Sequence, residues 1–407
     1  MLAQEGSFFN VCRDLYSERH DYYFRYYHDR PMIITSARVK EIRELHRILY
    51  KCIEFMAYHY TEFVDKFMPL SEREMEILAY QSKYPFKATT YRPDYLITPD
   101  GKLKLCEITS RFFAHGIFMD YYAEAYAERF LEKHPEVSRE CKFEEMLRYM
   151  LQIVGDKKEI YVLKSSDRTS EIRLYQPFYE HFGKKVVVLE APDVEKNIDA
   201  WRNAFVISAL NQKDILSFKM ETIKAMIDAG MYNDFRTIFL THDKRFMRLW
   251  FEDAFTDKFL TKDEAAFIRK HSIETFICRE ESAEATLADA YNHKDKYILK
   301  HYCLGKSEKV YAGPLTSEDE WKKLFDDGSV NDMIMQPFLP QKTYSTVWEG
   351  TPFKDYICGM MLCVDDKFFD SGYIRASSCP VTNKVDDRKI CVIASDDPSL
   401  LAFGDVL

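Results

Sequence analysis

Four charged side chains stand at the ends of a predicted β-hairpin early in the chain, and their types make them candidates for chemistry. Arg92 and Asp94 lie on one side of the hairpin's mouth, and Glu107 and Arg111 lie on the other side. Charges at the mouth of a buried hairpin are costly unless they are paired with one another or bound to something. The four residues therefore indicate either a ligand site or a structural network of ion pairs, and the sequence leaves both readings open.

The sequence between these charges predicts the hairpin itself. One short strand covers residues 95–98, Pro99-Asp100-Gly101 forms the turn, and residues 103–108 form the return strand. Proline presets φ and glycine accepts a positive φ, so this triplet suits a tight turn. Leucines alternate with lysines at the start of the return strand, as expected when one face of a strand is buried.

A second group of residues, in the last third of the chain, has the types expected of a nucleotide cleft. A β-rich run ends at Lys300, a loop with Gly305 follows it, and an apolar strand over residues 333–339 carries Gln336. In such a cleft the lysine would neutralise phosphate charge, the loop would cover the phosphates, and the apolar strand would hydrogen-bond adenine through its main chain. Taken alone, a glutamine such as Gln336 is more often a surface residue at the end of a strand than a contact with adenine.

Helix signals predict elements on both sides of the hairpin. Apolar residues recur at intervals of three and four from Val39 to Met56, which predicts a long amphipathic helix. Capping boxes at Ser71, with Glu74, and at Thr261, with Glu264, predict two helix starts. Other predicted helices cover these ranges: 118–131, 143–153, 170–182 and 218–229.

Strands and helices alternate from about residue 158, which predicts a small parallel sheet with strands over 160–164, 185–190 and 204–208. No Gly-x-Gly-x-x-Gly follows the first of these strands, which argues against a Rossmann dinucleotide site. A second hairpin is predicted over residues 356–376, and its return strand ends in Arg375.

Composition narrows the class of protein. The 407 residues are 46% hydrophobic and 30% charged, and the net charge of −9 argues against a general nucleic-acid binder. No apolar run approaches the roughly 20 residues that span a bilayer, and the N-terminus lacks signal-peptide features. Ten cysteines are scattered without a Cys-x-x-Cys pair, which predicts buried free thiols in a reducing compartment. We therefore expect a cytoplasmic protein that binds neither nucleic acid nor membrane.

The order of the motifs resembles that of circularly permuted ATP-grasp ligases, such as eukaryotic-type glutathione synthetase and the synthetase domain of glutathionylspermidine synthetase. The resemblance covers most of residues 90–380 and is carried by these segments, in this order: Arg92-Pro93-Asp94-Tyr95, Glu107-Ile108-Thr109, Asp243-Lys244-Arg245-Phe246, Leu260-Thr261-Lys262-Asp263-Glu264, Thr275, Ile298-Leu299-Lys300, Gly305, Met335-Gln336-Pro337-Phe338 and Tyr373-Ile374-Arg375.

The resemblance implies an α/β (α+β) fold of the ATP-grasp type with a circular permutation. Antiparallel sheets flanked by helices would adjoin a small parallel α/β substrate lobe. It divides the chain into a helical N-terminal region with the metal-binding hairpin (1–157), the substrate lobe (158–240), and a nucleotide-binding and lid region (241–407).

The resemblance also implies an activity, namely ATP- and Mg²⁺-dependent ligation of a carboxylate to an amine through an acyl phosphate. The substrates would be an amino acid, a small peptide or a polyamine, and the protein could form a homodimer. The implied roles are these: Arg92 and Arg375 catalytic; Lys244, Lys300, Gly305 and Gln336 ATP-binding; Glu107 and Thr109 metal-binding; Arg92, Arg111 and Arg375 substrate-binding.

Three positions depart from the family's pattern. Thr109 replaces an asparagine beside the metal glutamate, Leu304 replaces a metal-binding glutamate, and Ser377 replaces a lysine. Only Gly305 remains of the glycine-rich loop. A non-catalytic binding or scaffold protein that has kept the fold is therefore the alternative, and phosphoryl transfer to a hydroxyl would use the same cleft.

Overall fold

The computed structural model describes residues 7–110, 113–114, 116–135, 141–166, 172–305, 307–370, 373–382, 384–402 and 407. Within these residues the protein is a mixed α/β structure with a large mixed sheet, a smaller antiparallel sheet and a parallel sheet. The α/β class predicted from the sequence is confirmed at this level. Neither an ATP-grasp arrangement nor a circular permutation is confirmed, and the division at residues 157 and 240 stays a prediction.

The α-helices have these bounds: α1 (Phe8–Tyr16), α2 (His20–Phe24), α3 (Ser36–His59), α4 (Val64–Phe67), α5 (Glu72–Gln81), α6 (Asp120–Leu131), α7 (Phe143–Val154), α8 (Ile172–His181), α9 (Ala191–Val194), α10 (Ile198–Trp201), α11 (Gln212–Ser217), α12 (Met220–Asp228), α13 (Asp253–Thr256), α14 (Lys262–Lys270), α15 (Glu284–Asn292) and α16 (Glu318–Asp326). A π-helical turn covers Thr237–Thr241, and a 3₁₀ segment covers Lys244–Phe251. Shorter 3₁₀ turns cover Ser17–Arg19, Tyr60–Glu62, Glu195–Asn197, Glu281–Ala283, Lys294–Lys296, Gly313–Leu315, Ser329–Asp332 and Pro398–Ala402.

The strands have these bounds: β1 (Met32–Ile34), β2 (Thr90–Ile97), β3 (Leu103–Thr109), β4 (Glu159–Lys164), β5 (Lys185–Glu190), β6 (Phe205–Ala209), β7 (Phe276–Ile277), β8 (Tyr297–His301), β9 (Val310–Ala312), β10 (Met333–Pro337), β11 (Thr343–Trp348), β12 (Thr351–Met360), β13 (Cys363–Val364), β14 (Lys367–Phe368), β15 (Tyr373–Ser377) and β16 (Arg388–Ala394).

The predicted helix signals are confirmed where they are strongest. The apolar stripe lies on α3, whose buried face includes Leu45 and Leu49. Both capping boxes form, at the start of α5 and at the start of α14. In each box the cap hydroxyl accepts from a backbone N–H, and the glutamate accepts from the cap residue, so two otherwise unsatisfied donors are paired. The apolar core joins α3 to the hairpin and to Trp250.

The early hairpin is confirmed and is longer than predicted. Strands β2 and β3 pair antiparallel, with Arg92 opposite Thr109 and Asp94 opposite Glu107. Gly101 adopts a φ of +79° in the turn, the left-handed region that glycine enters without strain. A bulge beside Asp94 shifts the register, so that charged side chains of both strands lie at one end of the hairpin.

The second predicted hairpin is only partly correct. Strand β12 ends at Met360 and pairs with β15, so Cys358 lies opposite Arg375. Residues 358–360 also pair with β2, and just past them Met361 donates its backbone N–H to the carbonyl of Pro93. The strand is interrupted there and resumes as β13, which pairs with the same strand β2, so the predicted strand is split in two. The sequence analysis also missed β16, which pairs with β15 and lies parallel to β1.

Two smaller sheets complete the frame. The predicted parallel sheet is confirmed, with strand order β5-β4-β6. In the other sheet β10 pairs with β8 and β7, and β8 pairs with β9, all antiparallel. Among the helices in the described residues, none is both long and apolar enough to cross a membrane.

Candidate functional site

A cavity of about 430 Å³ is lined by β2, β3, β12 and β15 of the large sheet and by β8 and β10 of the smaller antiparallel sheet. Most of the site residues predicted from sequence line this one cavity, namely Arg92, Glu107, Thr109, Lys244, Lys300, Gly305, Gln336 and Arg375. Arg111 lies outside the described residues. The structure thus brings together side chains that are remote in sequence, while the role of each stays a prediction.

Asp94 holds the two arginines in place. Its carboxylate is fully buried and accepts from Arg92 through Nε at 2.8 Å and Nη2 at 3.1 Å. Arg375 donates from Nη2 to the same carboxylate at 2.5 Å. A guanidinium that is paired in this way has a defined orientation because its fork matches a carboxylate. The structural ion-pair network that the sequence left open is therefore present and forms one wall of the cavity.

Glu107 lies opposite Asp94 in the strand pairing and is surrounded by positive charge. Burial alone would raise the pKa of Glu107, but the charges of Lys244, Lys300, Arg375 and Arg92 outweigh it and lower the pKa. Glu107 is therefore ionised at neutral pH.

Lys244 begins the 3₁₀ segment that follows Asp243, and it fixes the loop after β8. Its backbone N–H donates to the carbonyl of Tyr302 at 2.8 Å, and its Nζ donates to the carbonyl of Leu304 at 2.6 Å. Burial lowers the pKa of Lys244, whereas the nearby carboxylate of Glu107 favours its charged form. This lysine is almost completely buried, and it lines the cavity.

Lys300 and Gln336 form a second buried polar group. Lys300 donates from Nζ to Oε1 of Gln336 at 2.9 Å and to the carbonyl of Cys106 at 3.3 Å. Gln336 in turn donates from Nε2 to Oγ1 of Thr275 at 2.9 Å. Its side chain is fully buried, so the reading of Gln336 as a surface residue is wrong.

The rest of the cavity wall is largely apolar. It is formed by these side chains: Leu96, Ile273, Ile298, Val310, Phe338, Leu339, Met360 and Val381. The loop after β8 also contributes, through Leu304, Gly305 and Ser307, and the Ser307 hydroxyl donates to the carbonyl of Thr382 at 3.2 Å. The lining of the cavity thus combines charged and apolar side chains.

Several lining residues were not assigned roles from the sequence. Lys389 and Asp387 reach the cavity from the start of β16, where Nζ of Lys389 lies 3.0 Å from Oδ2 of Asp387. Two thiols, those of Cys106 and Cys358, also line it. Lys389 and Asp387 were missed because strand β16 was not predicted. The two cysteines were missed because, in sequence, they look like any other cysteine of an apolar strand.

The balance of charge suits an anion. Among the lining residues that the structure describes, arginine and lysine contribute five cations, and aspartate and glutamate contribute three anions. Asp94 is already held by two guanidinium groups. An excess of buried positive charge favours a bound anion, most simply phosphate or carboxylate.

Glu107 and Thr109, the predicted metal ligands, do not fit a resident Mg²⁺. Glu107 lies among four cations, and the hydroxyl of Thr109 is a weak ligand beside it. In the part of the chain that the structure covers, no group of three or more His, Cys, Asp and Glu side chains could hold a metal ion. The predicted metal role of Glu107 and Thr109 therefore finds no support in the arrangement of the donors.

Comparison with known families identifies one similarity. A family model described as the AnkG N-terminal domain matches residues 45–240, just under half of the chain. The matched region includes α3 from Leu45 onward, the hairpin and the parallel sheet. No curated protein matches the chain.

This similarity overturns the family interpretation made from the sequence. The match points to something other than an ATP-grasp ligase, and it covers the hairpin and lobe on which that resemblance depended. The predicted relation to glutathione synthetase, the carboxylate–amine ligase activity and the assignment as an enzyme are therefore wrong. The motifs that suggested them are short, and their residue types serve equally to pair buried charges.

Proposed function

We propose that this protein is a non-enzymatic binding protein that takes a phosphate-bearing small molecule of the nucleotide class in the cavity. The observation that carries the proposal is the convergence of two buried lysines, Lys244 and Lys300, on one cavity whose lining also includes many apolar side chains. A nucleotide combines the same two properties, with an anionic phosphate tail and a flat, largely apolar base.

Charge supports this ligand class. Two lysines and two arginines act on Glu107, and only part of their charge is compensated by carboxylates. Phosphate oxygens would supply the missing negative charge and would accept hydrogen bonds from ammonium and guanidinium groups. The cation of Lys300 is held in place by Gln336, so little side-chain freedom is lost when a ligand binds.

Size and polarity support it as well. Ligand pockets of proteins commonly enclose about 300–1,000 Å³ and combine apolar walls with a few placed polar groups. The cavity of about 430 Å³ falls within this range. Its apolar lining includes Ile298 and Phe338, each two positions along the chain from a member of the polar pair of Lys300 and Gln336.

The test is the thermal stability of the purified chain with and without ATP, in the presence of either excess Mg²⁺ or a chelator. A ligand that binds only the folded state at about 100 times its Kd adds roughly 2.7 kcal/mol, which is readily seen as a rise in Tm. We expect ATP to raise Tm and adenosine, which lacks phosphate, to raise it much less.

Lys300→Met is the matched test variant, and Lys196→Met is its control, because Lys196 is exposed and pairs only with Asp193 within its own turn. Each variant is compared with its own ligand-free Tm, so a change in stability does not mask a change in binding. The proposal requires the ATP-dependent shift to be lost in the first variant and kept in the second. An equal shift in both variants, or no shift with any nucleotide, would refute it.

The remaining sequence-based expectations stay predictions. These are a cytoplasmic location, the use of ATP with Mg²⁺ as cofactors, the lack of nucleic-acid or membrane binding, and a homodimer.

A further inference from the structure

Strand β5 is an outer strand of the parallel sheet and pairs on one side only, with β4. The other outer strand, β6, is covered, because Tyr232 donates its backbone N–H to the carbonyl of Val206 and accepts from the N–H of Ser208. Among the residues that the structure describes, no segment covers β5 in this way. An uncovered edge presents a row of N–H and C=O groups that can pair with another chain.

The backbone groups that point away from the sheet can be identified residue by residue. The N–H of Lys185 donates towards β4, to the carbonyl of the residue just before that strand. Backbone groups alternate between the two sides of a strand, so those of Val187 also face β4. Those of Val186 and Val188 therefore face outward.

Helices occupy both faces of β5, so its edge is the part that is left open. Val186 and Val188 pack in the apolar core that includes Phe178 of α8. Val187 packs against the other large core, which includes Val194 of α9. A partner can therefore reach the strand only along its edge. No residue of β5 lines the cavity, so this edge is separate from the site described above.

We propose that β5 pairs antiparallel with β5 of a second copy of this chain across a two-fold axis, which joins the two parallel sheets into one. In the register that we infer, Val187 lies opposite the partner's Val187, and Val186 lies opposite the partner's Val188. The outward-facing groups of Val186 and Val188 then exchange backbone hydrogen bonds between the two copies. This interface does not depend on the ligand of the cavity.

Charge complementarity favours a second copy in this register. Lys184, just before the strand, lies opposite the partner's Glu190, and such cross-strand pairs of opposite charge are stabilising. Lys184 donates to two backbone carbonyls and, within the described part of the chain, to no carboxylate. Glu190 is 54% exposed. A shift by two residues would place Glu190 opposite Val186 or Lys184 opposite Val188, so only this register pairs the two charges.

The middle of β5 has none of the features that commonly protect an edge from pairing. The strand, Lys-Val-Val-Val-Leu-Glu over Lys185–Glu190, has no proline and no charge between its ends, and its pairing with β4 is continuous without a bulge. Protected edges use charges, prolines or bulges to repel a neighbouring strand. Here the charges stand only at the ends, where antiparallel pairing brings opposite signs together.

The first test is sedimentation velocity of the full chain over a range of concentrations, where we expect a monomer–dimer equilibrium. Val188→Pro removes an outward N–H that β4 does not use, so the Tm of the monomer should be kept. The Kd of the dimer should rise about tenfold or more, because hydrogen bonds between the copies are lost. Val187→Pro, which removes an N–H that faces β4, should instead lower the Tm. A natural chain that stays monomeric, or a dimer that Val188→Pro leaves unchanged, would overturn the proposal.

Cysteine crosslinking tests the register and stays decisive if a proline variant does not fold. The background is Cys141→Ser, since Cys141 is the exposed cysteine among those described. Residues that face each other in a non-hydrogen-bonded pair have Cα atoms about 4.5 Å apart, which a disulfide can span. Under mild oxidation we expect Val187→Cys to form an interchain disulfide. Val188→Cys, whose two copies are out of register, should do so about tenfold more slowly. Equal rates, or no crosslink with Val187→Cys, would contradict the register.

Charge reversal separates this dimer from association through another surface. Lys184→Glu should weaken the dimer, because it places two carboxylates side by side at each end of the joined strands. The double variant Lys184→Glu/Glu190→Lys should recover much of the lost affinity, since the opposite signs meet again. Sedimentation velocity measures both, with Lys196→Glu as the exposed control that should change nothing. Failure of the double variant to recover any affinity would exclude the pairing of Lys184 with Glu190.

Discussion

Lys300 donates a hydrogen bond from Nζ to Oε1 of Gln336 over 2.9 Å, between two antiparallel strands that form one wall of the cavity. The amide therefore holds the ammonium group in position while its own NH₂ donates to Thr275. Lys300 also acts on the carboxylate of Glu107, whose pKa it helps to lower, so the amide positions a lysine that lies near both Glu107 and the cavity. This relationship, rather than any sequence motif, defines the charged end of the cavity.

Replacing this amide should destabilise the protein. Gln336→Leu leaves the ammonium of Lys300 and the hydroxyl of Thr275 without this partner inside the protein. Loss of a buried partner costs about 1–3 kcal/mol, and more for a charged group. We expect a lower midpoint in urea unfolding, whereas Gln176→Leu on the surface of α8 should change the midpoint little. An unchanged midpoint for Gln336→Leu would show that water or movement replaces the lost bond.

The carboxylate of Asp94 should matter more than any other single charge at the site. Asp94→Asn removes the negative charge that two buried guanidinium groups share. Breaking a buried ion pair by removing one partner typically costs about 3–5 kcal/mol. The measurement is urea unfolding, with Asp199→Asn as the control because Asp199 is 99% exposed. Similar midpoints for the two variants would contradict the network described for Arg92 and Arg375.

Glu107 competes with an anionic ligand for the same cations. Glu107→Gln removes this competitor, so we expect a larger rise in Tm with ATP in the presence of a chelator than the natural protein shows. If Glu107 instead holds a metal ion that ATP requires, the substitution should reduce the rise seen with Mg²⁺. Thermal unfolding with and without metal distinguishes the two outcomes.

The close approach of Gly359 and Tyr95 predicts a steric effect. A Cβ atom on Gly359 would lie 2.0 Å from Cζ of the Tyr95 ring, so the ring would have to move. Overpacking of this kind commonly costs about 1–3 kcal/mol. We expect a lower Tm in Gly359→Ala. In the double variant Gly359→Ala/Tyr95→Leu we expect the decrease in Tm to be smaller than the sum of the decreases in the two single variants. Strict additivity of the two changes would argue against this contact.

The capping box of Thr261 and Glu264 predicts that the stability of the protein depends on pH. Hydrogen bonds from Lys51 and from the backbone of Thr261, together with Arg47, lower the pKa of Glu264 to about 2. Because this folded-state pKa lies below the ordinary value of 4.5, its contribution to stability is complete above that pH and is lost as pH falls towards 2. The stability difference between the natural protein and Glu264→Gln should therefore shrink over this range in urea unfolding. A difference that does not vary with pH would contradict the prediction.

Local structure could be predicted where neighbouring residues determine it. The Pro99-Asp100-Gly101 turn, the capping boxes of α5 and α14, and the apolar stripe of α3 depend on residues a few positions apart, and all of them are present. The parallel sheet was predictable for the same reason. The break in β12 after Met360 was not, because it lies beside Pro93 of the partner strand β2, which has no backbone N–H to continue the ladder and is far away in sequence.

The sequence by itself determined which side chains are charged and where its helix caps, its Pro99-Asp100-Gly101 turn and its apolar helix stripe lie, because dihedral preferences and hydrophobic period act over short distances. Only the tertiary structure decided that Asp94 pairs with Arg375, that Gln336 is buried against Lys300, and that Cys358 borders a cavity. These contacts join residues separated by tens to hundreds of positions, and sequence spacing does not encode such distances. For the same reason, short motifs in a familiar order predicted a ligase. The same charged residues also serve to pair with one another inside the protein, as Asp94 does with Arg92 and Arg375.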